Sequence, residues 1–396
     1  EVINFGLFLF VLIHYNIYNS FKELPEGWNT FVRHDVFLQP HYLRALEEAS
    51  PENIQLFYIG VFKDDILVGV AITQRVQLYL KDMFRDAKVS CIKTFFKDAV
   101  SKVLKGNILV VGNLTHTGQH GIFFNGETVS QRLFFEVIIS ALNDIKVRIR
   151  KSQNKNIRAI MLKDYFKDDP IHDAKDIFDS TKLHQVSVQP NMILSIKPEW
   201  LKFEDYVASL NKKYRDRYRR ARKKRNSIKT VELSLEDIKI YTPELHKFYM
   251  NVSSNAKFNT FLLTENHFYS LKLQLQENFK VYGYYLKGKL IGFYTLILNN
   301  DALETYFLGY DEAHQYVNQL YLNMLYDMLK FGIENKFSSV VYARTAMEIK
   351  SSVGAEAKPM VVYLKHTNGF LNTILRQIFK LMNPSQNWAE RHPFKN

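Results

Sequence analysis

Residues 57–72 read Phe57-Tyr-Ile-Gly-Val-Phe-Lys-Asp-Asp-Ile-Leu-Val-Gly-Val-Ala-Ile72, and residues 280–295 read Lys280-Val-Tyr-Gly-Tyr-Tyr-Leu-Lys-Gly-Lys-Leu-Ile-Gly-Phe-Tyr-Thr295. Without a gap, the two stretches align Gly60 with Gly283, Leu67 with Leu290, Val68 with Ile291 and Gly69 with Gly292. In each stretch a short polar turn, 63–65 or 287–289, separates two apolar segments. This pattern is typical of a β-hairpin. The chain therefore contains a similar hairpin twice, half a chain apart.

The elements predicted after each hairpin also come in the same order. After the first hairpin, the periodicity predicts a strand over 107–112, a loop over 113–125, a helix over 129–151 and a strand over 158–162. After the second, it predicts a strand over 303–309, a loop over 310–317, a helix over 318–335 and a strand over 339–343. This repetition indicates that a whole domain was duplicated. We place the two domains at residues 1–190 and 191–396.

Size and composition agree with two globular domains. A chain of 396 residues exceeds what one hydrophobic core usually serves, and its 46% hydrophobic residues are enough for two cores. The single cysteine, Cys91, excludes an internal disulfide and agrees with a reducing compartment. His116 and His120 are four residues apart, but no third ligand is evident in the sequence. We therefore predict that the protein has no metal site.

Two further segments point to a known family. Residues 342–355 read Tyr342-Ala-Arg-Thr-Ala-Met-Glu-Ile-Lys-Ser-Ser-Val-Gly-Ala355, and residues 212–224 read Lys212-Lys-Tyr-Arg-Asp-Arg-Tyr-Arg-Arg-Ala-Arg-Lys-Lys224. Both resemble segments of bacterial FemAB-like proteins of the peptidoglycan-biosynthesis type, and the order of elements resembles the GNAT acyltransferase fold. The resemblance covers roughly residues 24–360. It implies an α+β fold of two tandem GNAT-like domains, each a mixed, mostly antiparallel sheet flanked by helices.

The same resemblance carries an expected activity. FemABX-like proteins acylate amines with acyl-coenzyme A or aminoacyl-tRNA, and in GNAT domains a loop and a helix N-terminus bind the donor pyrophosphate. The usual Arg/Gln-x-x-Gly-x-Gly/Ala signature of that loop is absent here. The second loop, 309–318, is acidic, and the first, 112–121, has glycines but no arginine. The resemblance therefore supports the fold more strongly than it supports the co-substrate.

The formal net charge of +13 is concentrated in one run. Ten of the fourteen residues in 212–225 are basic, and we predict a helix over 206–226 with an inner stripe at Val207, Leu210, Tyr214 and Ala221. One interpretation is a solvated basic face. The other is a site for an anionic partner, either cofactor phosphates, tRNA or an acidic membrane, with Arg217 and Arg220 as cofactor-binding residues. Replacing Arg220 and Arg222 by glutamate is expected to weaken such a partner without unfolding the chain.

Candidate catalytic residues come from the resemblance and from the needs of acyl transfer. The reaction needs a base and oxyanion donors, and no Ser/His/Asp or Cys/His arrangement is visible, so we expect direct attack by the amine. The second half, which we expect to be catalytic, offers Arg344 and Lys350 as anchors or oxyanion donors and Glu348 as base. A structural ion pair between Arg344 and Glu348 is the alternative. Tyr310 and His314 are further candidates.

In the first half, one glycine-rich turn is a candidate for cofactor binding. Its residues Gly118, His120 and Gly121 leave room for a ligand close to the backbone. A tight turn explains the same glycines equally well.

Both ends of the chain bear on localisation. An amphipathic helix predicted over 368–383 either lies on an anionic membrane or packs on its own domain. Residues 5–13 are apolar but lack a preceding basic residue and a cleavage pattern, and they are far fewer than the ~20 needed to span a bilayer. We expect a cytoplasmic protein, with peripheral contact at the inner face of the membrane as the further option.

Two functions remain open from the sequence. The first is an N-acyltransferase that modifies a primary amine of a cell-envelope or lipid precursor, with no obligate protein partner. Acyl-coenzyme A is favoured as the co-substrate over aminoacyl-tRNA, because the chain has no extended heptads for a tRNA-associated coiled-coil arm. The second is a non-catalytic GNAT-like module that binds nucleic acid or an anionic membrane through its basic helix.

Overall fold

A computed structural model describes residues 12–78, 106–255, 259–382 and 388–395. Most of the apolar stretch 5–13, Cys91 and the last residue of the predicted helix 368–383 lie outside these ranges. Among the described residues, no helix is both long and apolar enough to cross a bilayer.

The described residues form thirteen strands. They are β1 (Ile13–Tyr18), β2 (Ile54–Lys63), β3 (Ile66–Leu78), β4 (Gly106–Val111), β5 (Ile122–Phe124), β6 (Ile157–Phe166), β7 (His184–Ser195), β8 (Lys229–Glu232), β9 (Phe279–Leu286), β10 (Lys289–Asn299), β11 (Ala302–Tyr310), β12 (Ser339–Val341) and β13 (Glu356–His366).

The described residues also form thirteen α-helices. They are α1 (Trp28–Phe31), α2 (Pro40–Glu48), α3 (Gln131–Gln153), α4 (Lys175–Ser180), α5 (Phe203–Ser209), α6 (Lys212–Arg225), α7 (Leu235–Ile240), α8 (Thr242–Ser254), α9 (His267–Leu275), α10 (Glu312–Asn318), α11 (Leu320–Glu334), α12 (Met347–Ser351) and α13 (Gly369–Met382). Short 3-10 helices occur at Phe21–Glu23, Val36–Leu38, Pro170–Ala174 and Gln276–Asn278.

Both predicted hairpins are present, and they share the same type of turn. The turns between β2 and β3 and between β9 and β10 each place two residues at positive φ, as type I′ turns require: 49° and 64° at Asp64 and Asp65, and 51° and 77° at Lys287 and Gly288.

In each hairpin the strand register also shifts by one residue. The shift falls at Val68 in the first hairpin and at Ile291 in the second. These residues align in the sequence, so the bulge supports the duplication.

The thirteen described strands form one continuous sheet. Its order is β1-β2-β3-β4-β6-β13-β7-β12-β11-β10-β9-β8, with β5 paired to β3 off this path. Neighbours are antiparallel except β4 with β6 and β11 with β12. The predicted mixed, mostly antiparallel arrangement is therefore confirmed, and the five outer strands on one side mirror those on the other.

The halves exchange their last strands. Strand β7 follows β6 in the chain but pairs with β12, for example Leu194 with Val340. Strand β13 follows β12 but pairs with β6, for example Leu364 with Met161. These two exchanged strands then pair with each other at the middle of the sheet. The proposed boundary between residues 190 and 191 lies inside β7, and the division of the chain there stays a prediction.

Three hydrophobic cores hold helices on this sheet. Phe134 and Ile138 of α3 lie in the core of the first half, and Met324 of α11 lies in that of the second. The third core is shared, because Trp28 of α1 is in one cluster with Phe268 of α9. The halves are thus joined by apolar packing as well as by the sheet.

Three local predictions were wrong. The predicted loop 113–125 contains the short strand β5, which pairs with β3. The predicted loop 310–317 contains helix α10, which Asp311 caps by accepting a hydrogen bond from the Ala313 N–H at 3.1 Å. The predicted single helix 206–226 is two helices, α5 and α6. It breaks at Leu210, which is extended, and α6 restarts where Asn211 Oδ1 accepts from the Tyr214 N–H at 3.3 Å.

Candidate functional site

A basic cavity of about 520 Å³ lies beside α6. Its lining residues are Lys213, Tyr214, Arg217, Arg220, Lys224, Gln319 and Arg391. The basic residues that α6 contributes recur at intervals of four, three and four, which places them on one face of the helix. Among the described residues that line this cavity, none is acidic. We call this cavity the basic pocket, and its charge and concavity suit an anionic ligand.

The beginning of α11 lies at the same pocket. Gln319, which lines the pocket, is the N-cap of α11 and has a left-handed backbone with φ 47° and ψ 49°. Its side chain makes no capping hydrogen bond, whereas Gln315 Oε1 accepts from the Tyr321 N–H at 3.1 Å. The positive end of the helix dipole therefore adds to the cationic side chains and favours bound phosphate.

Two further arginines of α6, Arg222 and Arg225, pair with a carboxylate of α11 instead of lining the pocket. Arg222 Nη1 lies 2.7 Å from Asp327 Oδ1, and Arg225 Nη2 lies 3.7 Å from Asp327 Oδ2. The Arg222 guanidinium also lies over the ring of Tyr326, 5.6 Å from its centroid. These contacts dock α6 onto α11. These contacts argue against the expectation that changing Arg220 and Arg222 to glutamate leaves the fold intact, because Arg222 is largely buried in an ion pair.

Lys350 is buried rather than placed in the basic pocket. Its side chain is 4% exposed, and its Nζ donates to the carbonyl oxygens of Ala343 at 3.2 Å and Arg344 at 2.5 Å. Burial lowers the pKa of Lys350 to about 7. Ala343, Thr345 and Ala346 have φ of 59°, 67° and 46°, which is unfavourable for residues with a Cβ. Lys350 thus holds a strained backbone segment in place.

Arg344 and Glu348 are paired, but not with each other. Arg344 Nη2 contacts Asp164 Oδ1 of β6, and Glu348 Oε1 contacts Arg391 Nη2. The alternative of an Arg344–Glu348 ion pair is therefore wrong. Since Arg391 lines the basic pocket, Glu348 is the predicted catalytic residue whose contacts reach that pocket.

Asp164 lies in a buried charged group with Arg344. Its side chain is fully buried and also contacts Lys163 Nζ. Burial acts to raise the pKa of Asp164, but Lys163 and Arg344 outweigh it and hold the pKa below its usual range. This ion pair joins β6 of the first half to the segment after β12 of the second.

The other two predicted catalytic residues lie at the end of β11 and on α10. Tyr310 is partly buried, which raises the pKa of its hydroxyl, and its backbone carbonyl accepts from Asn251 Nδ2 at 3.0 Å. His314 Nδ1 lies 3.3 Å from Asn318 Oδ1 one helical turn away. Neither side chain is among the described residues that line the basic pocket.

The glycines near His120 let parts of the chain approach one another. A Cβ added at Gly121 would lie 2.4 Å from the Cα of Gly112, and one added at Gly118 would lie 2.7 Å from the His120 ring. Gly118 also has a φ of 131°, which L-residues rarely adopt. These contacts favour the tight-turn interpretation, and cofactor binding by Gly118, His120 and Gly121 stays a prediction.

His120 belongs to a buried polar cluster that spans both halves. Its Nδ1 lies 2.8 Å from Asp35 Oδ2, and its Nε2 lies 3.5 Å from Glu304 Oε1. His116 Nε2 lies 3.2 Å from Glu304 Oε2. We call Asp35, His116, His120 and Glu304 the histidine cluster. The expectation that no third residue joins the two histidines is wrong, because Glu304 comes from β11 of the other half.

Three members of the histidine cluster have shifted pKa values. Burial lowers the pKa of His120, but Asp35 and Glu304 outweigh it and raise the pKa to about 10. Burial also lowers the pKa of His116, where it prevails over Glu304. Burial raises the pKa of Glu304, but hydrogen bonds from the two histidines bring it down to about 2.

Several residues of these sites were not found from the sequence. Within the basic pocket, Lys213 and Lys224 were missed, although their spacing from the predicted Arg217 and Arg220 would have indicated a shared face. No periodic pattern in the sequence marked Arg391 or Asp327 as residues of a site. Glu304 sits in a strand among apolar residues, and a carboxylate at such a position needs a buried partner.

Among the solved structures that resemble this chain, two match over almost their whole lengths. The crystal structure of FemX matches with a TM-score of 0.51 at 12% sequence identity, covering 89% of this chain and 97% of that chain. A tandem GNAT protein from the clavulanic acid biosynthesis pathway matches with a TM-score of 0.51 at 9% identity, covering 90% and 99%.

No family model matches the sequence, and no curated protein matches it. At such low sequence identity the two structural matches concern the fold alone. Together with the mirrored halves of the sheet, they show that the chain has the tandem GNAT fold of FemX-like proteins.

Proposed function

We propose that the protein is an N-acyltransferase that binds the phosphates of its acyl donor in the basic pocket. The observation that carries the proposal is the convergence of five cationic side chains and the start of α11 on one concave surface. Helix starts of this kind favour anions, and the fold is one in which acyl donors are bound by phosphate. The acceptor is a primary amine of a cell-envelope or lipid precursor.

Acyl-coenzyme A is the preferred donor. The pocket volume of about 520 Å³ falls within the roughly 300–1,000 Å³ that is usual for small-molecule sites. An aminoacyl-tRNA would need a long basic track beyond the pocket to carry its backbone. The absence of heptads in the sequence also favours coenzyme A, and aminoacyl-tRNA is the alternative donor.

The transfer needs one base near the pocket. The acceptor amine attacks the thioester carbonyl, a C–N bond forms, the C–S bond breaks, and coenzyme A leaves as a thiolate that takes up a proton. Glu348 is positioned to receive the amine proton, because its half-exposed carboxylate contacts Arg391 at the pocket. Lys350 acts as a positioning residue that fixes the backbone of the segment before α12.

The alternative function is a non-catalytic module that binds nucleic acid or an anionic membrane. It is supported by the exposed basic residues of α6 that do not line the pocket, such as Arg219 and Lys223. Attraction of this kind depends on the total charge of the helix and weakens steeply with salt. Binding of a phosphate-bearing donor in a discrete pocket is instead weakened mainly when residues that line the pocket are changed.

The test is titration calorimetry of the full chain with coenzyme A and with a long-chain acyl-coenzyme A at two salt concentrations. We compare Arg217→Glu/Arg220→Glu with Arg219→Glu/Lys223→Glu, which changes the net charge of the same helix equally outside the pocket. Saturable 1:1 binding that only the first variant loses, by at least tenfold, supports the donor pocket. Amine-dependent release of free thiol then establishes the transfer.

Other results would redirect the assignment. If coenzyme A does not bind but aminoacyl-tRNA does and the pocket variant loses it, the donor is the tRNA. If both variants weaken binding to tRNA or anionic vesicles equally, and no transfer is detected, the non-catalytic function replaces the proposal.

A further inference from the structure

We propose that His116, His120 and Glu304 bind a divalent transition-metal ion of the Zn²⁺ class, which links the two halves of the protein. His116 and His120 lie in the connection from β4 to β5 of the first half, and Glu304 lies on β11 of the second. This site is separate from the basic pocket, and the inference does not depend on the proposed acyl transfer.

The distances between the ligand atoms suit such an ion. One nitrogen of each histidine and one carboxylate oxygen lie within 4.8 Å of one another. Each histidine approaches a different oxygen of Glu304: His116 Nε2 lies 3.2 Å from Oε2, and His120 Nε2 lies 3.5 Å from Oε1. Tetrahedral ligands about 2.0–2.1 Å from a zinc ion are roughly 3.4 Å apart. The set therefore needs only small side-chain movements to coordinate.

The surroundings orient His120 as metal-ligating histidines usually are. Asp35 Oδ2 accepts from His120 Nδ1 at 2.8 Å, which leaves His120 Nε2 to face Glu304. Asp35 Oδ1 in turn accepts from the Phe37 N–H at 3.0 Å and from Asn299 Nδ2 at 3.2 Å. A carboxylate behind a ligating histidine fixes its tautomer and raises its affinity for metal.

The His116 ring is held by packing. It stacks on the Phe37 ring with centroids 4.1 Å apart and planes 13° apart. The side chains of His116 and Glu304 are almost fully buried. A bound ion would be shielded from water on these sides.

The charge of the cluster also fits a divalent ion. Two carboxyl groups, Asp35 and Glu304, face the two imidazole rings in a buried setting. Uncompensated buried charges are costly, so the cluster needs either a proton on a histidine or a cation. A +2 ion on the two histidines and Glu304 neutralises the cluster, and three protein ligands leave one position for water.

The experiment uses the full chain after dialysis against a chelator. Zn²⁺ is titrated by calorimetry and thermal unfolding, and Co²⁺ is titrated by its visible absorption. We expect one ion per chain, a rise of several degrees in the unfolding midpoint, and a Co²⁺ spectrum with nitrogen and oxygen ligands. Glu304→Gln and His116→Ala should each weaken binding at least a hundredfold. His172→Ala, a histidine bonded to Tyr363 in the first half, should leave it unchanged.

Two outcomes would overturn the metal site. One is that the folded wild-type chain binds neither ion saturably, which would make the cluster a hydrogen-bonded ion-pair network alone. The other is that Glu304→Gln binds as tightly as the wild type. Should His116→Ala not fold, His120→Asn and the wild-type Co²⁺ spectrum provide the same decision. Loss of metal with unchanged coenzyme A binding would leave the acyl-transfer proposal untouched.

Discussion

Arg222 Nη1 lies 2.7 Å from Asp327 Oδ1, and this pair determines which side of the basic helix is left for a ligand. Because Arg222 is anchored to α11, Arg217 and Arg220 face the cavity. The basic residues of α6 thus have two roles: some pair with α11, and others line the basic pocket.

Removing Arg222 should destabilise the fold. Arg222→Met leaves the mostly buried Asp327 carboxylate with the more distant Arg225 and the hydroxyls of Tyr284 and Thr230. Loss of one partner of a buried ion pair costs about 3 kcal/mol of unfolding free energy. The measurement is urea unfolding of the two chains. As a control, Arg219→Met removes an exposed pair with Asp216 and should cost less than about 1 kcal/mol. Equal losses in both variants would contradict a structural role for Arg222.

Lys350 should give the unfolding free energy a specific pH dependence. Its pKa is about 7 when folded and near 10.5 when unfolded, so between these values the unfolded chain binds the extra proton. Stability therefore rises with pH in this window, by up to about 1.4 kcal/mol per pH unit, and Lys350→Met lacks this rise. The difference between the two chains is measured by urea unfolding at pH 7, 8 and 9.

The control for Lys350 is an exposed lysine. Lys358→Met, at a half-exposed side chain paired with Glu356, should follow the wild-type pH dependence. Parallel curves for Lys350→Met and the wild type would mean that Lys350 keeps its proton when folded.

Gly121→Ala should destabilise the fold by roughly 1–3 kcal/mol. The new Cβ would lie 2.4 Å from the Cα of Gly112, so backbone has to move, and overpacking of this kind has that typical cost. Gly126→Ala is the matched control, because a Cβ there meets nothing within 4 Å. Thermal and urea unfolding measure the difference. A stable Gly121→Ala chain that loses coenzyme A binding would instead support the cofactor interpretation of this turn.

Glu348→Gln should slow amine acylation about 10²–10⁴-fold, the usual contribution of a general base. Donor binding should stay the same or become tighter, because Arg391 is released from its ion pair. The measurement is thiol release at saturating donor, with calorimetry of coenzyme A in parallel. Glu356→Gln, an exposed carboxylate paired with Lys358, is the control. A variant with a normal rate but altered donor affinity would assign Glu348 to the pocket rim only.

The duplicated fold was predictable because its signals are local. Alternating apolar residues, two-residue turns such as Asp64-Asp65 and helical spacing in α11 each involve neighbours in the chain. The inner positions Leu210, Tyr214 and Ala221 are indeed buried. The exchange of β7 and β13 was not predictable, because both strands satisfy the same pattern with either partner.

The candidate sites, too, were predictable only where the signal is local in the sequence. Arg217 and Arg220 were chosen from charge density, and their shared face follows from helical geometry. Which arginine turns inward depends on Asp327, about a hundred residues away. His120 was chosen for its flanking glycines, whereas its contact with Glu304 depends on how the halves meet. Long-range partners of single polar residues leave no periodic trace in one sequence.

The exchange of β7 and β13 has a consequence for how the chain is made. Strand β6 has its antiparallel neighbour only when residues 356–366 have been synthesised, since these residues form β13. The first half therefore leaves the ribosome with an open strand edge at β6 while almost two hundred further residues are translated. Open edges of this kind favour pairing with other chains, so we expect the nascent first half to be prone to aggregation until β13 inserts.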